Sequence, residues 1–327
     1  MHIGTHYKLA EFLRWTRRDI YGLLIVATIP TLLYIAGLTW IAIPWVPVAL
    51  VGTAAAFIVG FKNTQTYNRL WEARQIWGSI INGSRTWGMT IRDFVKADHT
   101  THQQLIYRHC AWLTALRYQL RKPQSWENQQ KPYNIEYRRF YTVPEWQDSL
   151  DDALVPYLSE AELLYILTKK NRATQLLAEQ SKQLTDLKES GLISDFEYVE
   201  LERRLADFYD QQGRCERIKN YPYPRQFASV TLYFIWLFVL MLPLGMLNEF
   251  QKLGENFIWL TIPFSVLVSW VFTSMDKVGE ASENPFEGGA NDIPMAALSR
   301  TIEIDLRDML DETDLPAPLM ATHNILL

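Results

Sequence analysis

Three long stretches of this chain carry no charged side chain, and they constrain its fold more than any other feature. The first covers residues 20–61, which are 42 positions without Asp, Glu, Lys, Arg or His. The others cover residues 226–248 and 256–275, with 23 and 20 positions. The hydrocarbon core of a bilayer is roughly 30 Å thick and needs about 20 apolar residues per helix. The first stretch therefore has the length of two membrane-spanning helices, and each of the others has the length of one.

The spacing of the stretches predicts four transmembrane helices in two hairpins. The first stretch is broken at residues 43–47, IPWVP, where two prolines interrupt helical hydrogen bonding and favour a turn. Only residues 249–255 separate the second stretch from the third. The alternative, buried helices of a water-soluble protein, would need three uniformly apolar runs in one soluble core, which is uncommon. We therefore predict an all-α integral membrane protein.

Basic residues indicate which side of the membrane the rest of the chain occupies. Several precede the first and third spans or follow the second and fourth, whereas the two hairpin connections contain only Lys252. The positive-inside rule places the basic side, and with it both termini, in the cytoplasm. The predicted organisation is a cytoplasmic N-terminal segment (1–19), transmembrane hairpin 1 (20–61), a helical cytoplasmic domain (62–225), transmembrane hairpin 2 (226–275) and an acidic cytoplasmic tail (276–327).

The polar part of the chain is predicted to be mostly helical. Apolar residues recur with helical spacing over residues 62–95, without proline, so the second span should continue into the cytoplasm as one helix. A further helix is expected at residues 102–122, followed by loop with short helices at residues 123–156. Ser159 and Glu162 have the spacing of a capping box that opens a helix.

Composition and motif content exclude several classes of function. With 32 basic and 36 acidic residues the formal net charge is −4, so the chain lacks the positive excess typical of nucleic-acid binding. Cys110 and Cys215 are too few for a disulfide framework or a cysteine metal cluster. No phosphate-binding loop, dinucleotide-binding, zinc-protease or serine-hydrolase motif occurs.

His99, His102 and His109 have the side chains of a metal site, but solvated imidazoles at a polar helix start explain them better. We expect no enzyme activity, no cofactor, no metal and no nucleic-acid partner.

The second span carries a periodic face. Thr53, Phe57 and Phe61 recur every four residues, so successive side chains are offset by only about 40° around a helix. Gly52 and the alanines at 54–56 are small enough to let neighbouring helices approach closely. If several copies of this helix surrounded an axis, the face would form apolar rings able to close a pore by dewetting. Ordinary contact with another helix or with lipid explains the same pattern and stays open at this point.

Three motifs flank the predicted spans. The first follows the second span, the next leads into the third span, and the last follows the fourth. Their sequences are FKNTQTYNRLWEAR at residues 61–74 with WG at 77–78 and NGSR at 82–85; CERIKNYPYP at 215–224; and ENPF at 283–286 with NDIP at 291–294. In order and spacing, and with the four spans in two hairpins, they resemble the bestrophin family in its bacterial branch over most of the chain.

The resemblance implies a homopentameric ion channel of the bacterial inner membrane, with one central pore for monovalent ions and membrane lipid around it. In that family the second span lines a narrow neck with three hydrophobic rings, which correspond here to Thr53, Phe57 and Phe61. Thr53 stands where the family usually has an aliphatic residue, so its ring should be wetter and less tight. A cytoplasmic aperture corresponds to Tyr223, which is bulkier than the usual aliphatic residue.

The resemblance also places Lys62, Asn63, Arg69, Glu72 and Arg74 near the pore. The charges of Arg69, Glu72 and Arg74 could set the electric field that ions experience. They could instead join subunits and neighbouring helices through Glu–Arg pairs, and we favour this second interpretation.

Ion selectivity and regulation are the least determined properties. The family is named for chloride conduction, but hydrophobic rings do not select a sign of charge, and the acidic tail could attract Na⁺ or K⁺. Eukaryotic relatives bind calcium through acidic residues after an Asn-Pro-Phe motif; here residues 287–292 contain too few carboxylates, so we expect no calcium activation. A non-conducting, membrane-anchored assembly or signalling protein is the alternative function.

Overall fold

The computed structural model describes all 327 residues and is all-helical, with isolated bridges but no β-strand. The α-helices are α1 (Leu9–Ile35), α2 (Trp45–Phe94), α3 (His99–Arg121), α4 (Pro132–Tyr137), α5 (Leu150–Leu154), α6 (Glu160–Leu167), α7 (Arg172–Glu189), α8 (Asp195–Asn220), α9 (Arg225–Gln251), α10 (Thr261–Glu280) and α11 (Met295–Asp308). Short 3-10 helices lie at Thr39–Ile41, Arg138–Phe140, Pro144–Trp146 and Glu255–Leu260. Four helices, α1, α2, α9 and α10 with the turn before it, are long and apolar enough to cross a membrane, which confirms the predicted number of spans.

One of the two compact units of the chain contains the spanning helices. This spanning unit comprises Gly4–Arg69 and Pro222–Glu283. In it α1 packs against α9 and α10, and α9 packs against α10. Small clusters of Leu, Val, Ile and Phe fill the spaces between the helices, while many other apolar side chains of α1 and α9 point outward. Outward apolar side chains are suited to lipid, which is as apolar as they are.

The first hairpin turns earlier than the prolines predict. Helix α1 ends at Ile35, Gly37 adopts a left-handed conformation with φ of +102°, and α2 has already begun at Trp45. The connection between the two helices covers residues 36–44, so the predicted break at residues 43–47 overlaps it only at residues 43 and 44. Pro47 lies in the first turn of α2, where a backbone N–H has no partner within the helix, so proline is tolerated there. The glycine, which adopts this conformation without steric cost, ends the first span.

The second unit contains the helices with polar surfaces. This polar unit comprises Met1–Ile3, Leu70–Tyr221 and Asn284–Leu327. Its core surrounds α3, which packs against α7, α8 and α11. The largest buried side chains of that core include Trp77, Trp87, Trp112 and Phe208. Two of these tryptophans, Trp77 and Trp87, belong to α2. Because α2 is one unbroken helix from Trp45 to Phe94, the predicted continuation of the second span is confirmed.

Helix α6 begins where its capping signal predicts, but the capping box is incomplete. The side chain of Ser159 accepts a hydrogen bond from the backbone N–H of Glu162, as expected. The Glu162 carboxylate pairs with Arg108 of α3 rather than with the backbone of Ser159. A complete capping box opens α8 instead, where Ser194 and Glu197 bond reciprocally.

Candidate functional site

The periodic face of α2 is exposed on the surface of the chain. Phe57 has 78% of its surface exposed and Phe61 has 45%, and Thr53 is exposed above them. Ala55 and Val59, on the opposite side of the helix, are buried. Residues four apart rise about 6 Å along a helix, so the three side chains occupy about 12 Å of its length. The structure thus presents them on one face, with no other part of the subunit covering Phe57.

The packing of α2 explains why this face points outward. A Cβ atom added at Gly52 would lie 2.6 Å from the ring of Phe238 on α9, so only glycine allows the two helices to approach this closely. Ala55 and Phe238 belong to the same buried cluster. The small residues therefore fix which side of α2 meets Phe238 of α9, and the Phe57 ring is left on the other side.

The exposed face changes from apolar to polar along the helix without becoming charged. Leu50 is exposed next to Thr53, and beyond Phe61 the exposed side chains include Thr64, Gln65 and Asn68. The hydroxyl of Thr53 donates to the Ala49 carbonyl at 2.9 Å. Because that hydroxyl is already bonded within the helix, it attracts water less than a free hydroxyl would. The exposed surface of this section of α2 is therefore uncharged.

Phe61 is also the start of a chain of aromatic contacts. Its ring centroid lies 5.9 Å from that of Phe227 on α9. Phe227 in turn lies 6.5 Å from Tyr223, which precedes α9. The structure therefore brings together, within the spanning unit, the lowest predicted neck residue and the predicted aperture residue.

Tyr223 itself does not have the exposure that an aperture requires. It is only 6% exposed, and its buried hydroxyl has no hydrogen-bond partner within the subunit. Tyr221, two residues earlier, is 69% exposed. A side chain that lines a water-filled opening must reach the surface of its subunit, so the burial of Tyr223 argues against the predicted role. The sequence contains no signal that separates these tyrosines, because both precede a proline.

The charged motif residues make contacts that hold helices together. Arg69 Nε donates to the Glu283 carbonyl at 2.7 Å, and Glu72 pairs with Arg217 of α8 at 2.5 Å. The Arg74 side chain is exposed. The first two contacts support the packing interpretation for Arg69 and Glu72 within one subunit.

Lys62 and Asn63 point away from the exposed face. Lys62 forms an ion pair of 2.6 Å with Asp276, and the Asn63 side-chain amide donates to the Met275 carbonyl at 3.0 Å. Both partners lie near the end of α10. These residues therefore attach α2 to α10 rather than line the same face as Phe61.

The histidines of α3 have separate partners. Nε2 of His99 faces the Leu310 carbonyl, Nε2 of His102 faces the Val95 carbonyl, and Nε2 of His109 faces the Ser84 hydroxyl. The structure therefore does not bring them together as one ligand set. The expectation of a solvated imidazole is wrong for His109, which is buried because it faces the core of the polar unit.

The acidic residues of 287–292 also have protein partners. Asp292 accepts hydrogen bonds from the backbone N–H groups of Gly288 and Gly289, and Glu287 accepts one from the backbone of Asn128. Burial raises the pKa of Asp292 to about 6, which weakens it further as a cation ligand. This segment is built as an internally bonded loop.

Sequence comparison identifies relatives over most of the chain. A sequence model described as bacterial/fungal bestrophin protein matches residues 17–308. The chain is 29% identical over 279 residues to the voltage-dependent anion channel-forming protein YneE of Escherichia coli K12, which covers 84% of this chain and 79% of that protein. It is 25% identical over 266 residues to a voltage-dependent anion channel-forming protein of Mesorhizobium japonicum, covering 81% and 75% of the two chains.

Structure comparison identifies the same architecture. A crystal structure of a bacterial bestrophin homologue from Klebsiella pneumoniae superimposes with a TM-score of 0.77 at 25% identity, over 90% of this chain and 98% of that chain. A crystal structure described only as a membrane protein gives a TM-score of 0.77 at 25% identity, over 91% and 99%.

Proposed function

This chain belongs to the bacterial and fungal bestrophin family, and on that premise we propose that it is a passive ion channel in which five copies surround one central pore. The channel-forming names of its relatives support conduction as its function, rather than catalysis. We further propose that it resides in the bacterial inner membrane with both termini in the cytoplasm. The distribution of basic residues around the four spans supports this orientation.

The exposed apolar face of α2 is the observation that carries the proposal. Around a common axis, Thr53, Phe57 and Phe61 would form three rings about 6 Å apart. An apolar constriction offers no group that replaces the hydration shell of an ion, so a narrow one loses its water and resists ions. The Phe57 ring is more exposed than the Phe61 ring, and we assign Phe57 the largest share of the barrier.

For the cytoplasmic aperture we propose Tyr221 in place of Tyr223. Both lie in the YPYP segment between α8 and α9, but only Tyr221 presents its ring at the surface of the subunit. Tyr223 would then support that segment from behind, through its contact with Phe227.

We propose anions as the conducted ions. The support is the description of the relatives from Escherichia coli and Mesorhizobium japonicum as anion channel-forming proteins. The uncharged neck face requires that the sign preference arise elsewhere in the pore. The acidic tail favours the alternative, a preference for Na⁺ or K⁺, and the reversal potential in a KCl gradient decides between the two.

The experiment that tests the channel and its neck is ion flux through liposomes containing the purified protein. We expect the wild type to conduct, and Phe57→Ala to conduct more, because removing the phenyl rings widens and hydrates the constriction. Phe234→Ala is the matched control, since it removes the same ring from α9, where that ring is partly exposed.

Each outcome of the flux assay has a defined meaning. Equal flux for wild type and Phe57→Ala would contradict the neck assignment while leaving conduction in place. No flux from correctly folded wild type would contradict the channel itself and favour a membrane-anchored assembly or signalling protein.

A further inference from the structure

The two residues that follow the lowest proposed ring are bonded to another spanning helix. Lys62 Nζ lies 2.6 Å from Asp276 Oδ1, and the side chains are only 6% and 19% exposed. Asn63 Nδ2 donates to the carbonyl of Met275 at 3.0 Å. Two consecutive residues of α2 thus bind two consecutive residues of α10. We call Lys62, Asn63, Met275 and Asp276 the α2–α10 clasp.

The clasp is closely fitted. Gly279, one turn after Met275 on α10, has no side chain where the Asn63 amide lies, and a Cβ atom there would collide with Asn63 Oδ1. That oxygen is buried and has no hydrogen-bond partner. Leaving a buried carbonyl oxygen unbonded costs free energy, so the surrounding contacts, rather than its own bonding, hold Asn63 in this orientation.

We propose that Lys62 and Asn63 are positioning residues that fix the direction in which the Phe61 ring points; this rests on the proposed channel function. Adjacent residues of a helix are about 100° apart, so anchoring Lys62 to α10 determines the rotation of α2 at Phe61. Phe227 contacts the Phe61 ring from α9. The anchoring of Lys62 and the contact with Phe227 together give the Phe61 ring one preferred direction. That direction determines the width of the lowest constriction.

The burial of the Lys62–Asp276 pair argues that Lys62 positions Phe61 and does not act on ions directly. The Lys62 ammonium is neutralised by Asp276, and both are largely withdrawn from water. Removing one partner of such a pair leaves an uncompensated charge in a poorly hydrated place, which the structure relieves by moving. Lys62 therefore influences conduction through the geometry of Phe61.

Unitary conductance in planar bilayers tests the clasp, with wild type, Lys62→Met, Phe61→Ala and the double variant. We expect Lys62→Met to change conductance by about twofold or more, because the hydration of an apolar constriction depends steeply on its width. In the Phe61→Ala background the same substitution should change nothing further. Lys62→Asp combined with Asp276→Lys re-forms the pair and should return the conductance toward that of the wild type.

Lys252→Met is the control, because it removes a lysine from an exposed pair with Glu249 at the C-terminal end of α9. If Lys62→Met does not assemble, Asn63→Ala gives the same comparison with the ion pair intact.

Two results would overturn the proposal. If Lys62→Met and Asn63→Ala both have the conductance of the wild type, the clasp does not fix the direction of the Phe61 ring. An equal effect of Lys62→Met with and without the Phe61 side chain would show a direct action on ions. A wild type that carries no current would instead contradict the channel function, and with it the positioning role proposed for Lys62 and Asn63.

Discussion

His109 lies in the core of the polar unit, and burial determines its ionisation. Its Nε2 is 2.8 Å from Ser84 Oγ, and its ring contacts Trp112 and Phe208. Burial disfavours the charged imidazolium and lowers the pKa of His109 from 6.5 to about 3. Between these values the unfolded chain binds more protons than the folded chain. The contribution of neutral His109 to the free energy of unfolding is therefore full above pH 6.5 and is lost as the pH falls toward 3.

We expect His109→Gln to remove this part of the acid sensitivity. From pH 6.5 to pH 5 the wild type should lose about 2 kcal/mol relative to the variant, at about 1.4 kcal/mol per pH unit. Unfolding of both proteins in detergent across this range measures the difference. Asp292, whose pKa burial raises to about 6, shifts stability in the opposite direction in both proteins and cancels in the comparison. Parallel pH profiles would contradict the burial argument.

Spacing along one helix was sufficient to predict which residues share a face, but not which distant residues they contact. The four-residue spacing of Phe57 and Phe61 was enough to predict one shared face, and both rings are exposed. The partners of Lys62 and Asn63 are 214 and 212 positions away, so no local pattern indicates them. The same reason explains Glu162, whose carboxylate is taken by Arg108 from another helix.

At the scale of elements, the absence of charge predicted which segments are long and apolar enough to cross a membrane. Where these helices end depends instead on the local backbone conformation. All four spanning helices contain the charge-free stretches, because placing a charge in the hydrocarbon core is costly. The end of α1 follows from Gly37, a glycine inside an apolar run where composition gives no boundary. The length of α2 could be predicted because its apolar spacing continues after the charges begin.

Two glycines of α2 provide a matched test of how this helix packs. An added Cβ at Gly52 would meet the Phe238 ring at 2.6 Å, whereas at Gly60 it would meet nothing within 4 Å. We expect Gly52→Ala to destabilise the spanning unit by about 1–3 kcal/mol, the usual effect of overpacking. Gly60→Ala should be neutral or slightly stabilising, because alanine favours the helix. Thermal unfolding in detergent compares the two, and equal stability would contradict the close contact of α2 with α9.

At the scale of the whole molecule, the single chain presents an apolar surface that no other part of the chain covers. Phe57, at 78% exposure, lies on a helix whose opposite side is fully packed. A periodic face has the same sequence whether it meets lipid, another helix or a shared axis, so this face alone does not determine the number of copies in the proposed assembly. The proposed pentamer rests on membership of the bestrophin family.

A cysteine at position 57 tests most directly whether ions pass along this face. The native thiols of Cys110 and Cys215 are buried, and burial raises the pKa of both, so they remain protonated and unreactive. We expect a charged, membrane-impermeant thiol reagent to reduce the current of Phe57→Cys and to leave the wild type unaffected. Leu32→Cys, on the outward apolar side of α1, is the control and should not react. A Phe57→Cys channel that conducts while its thiol stays unmodified, or that is modified with no change in current, would contradict the pore lining proposed for α2.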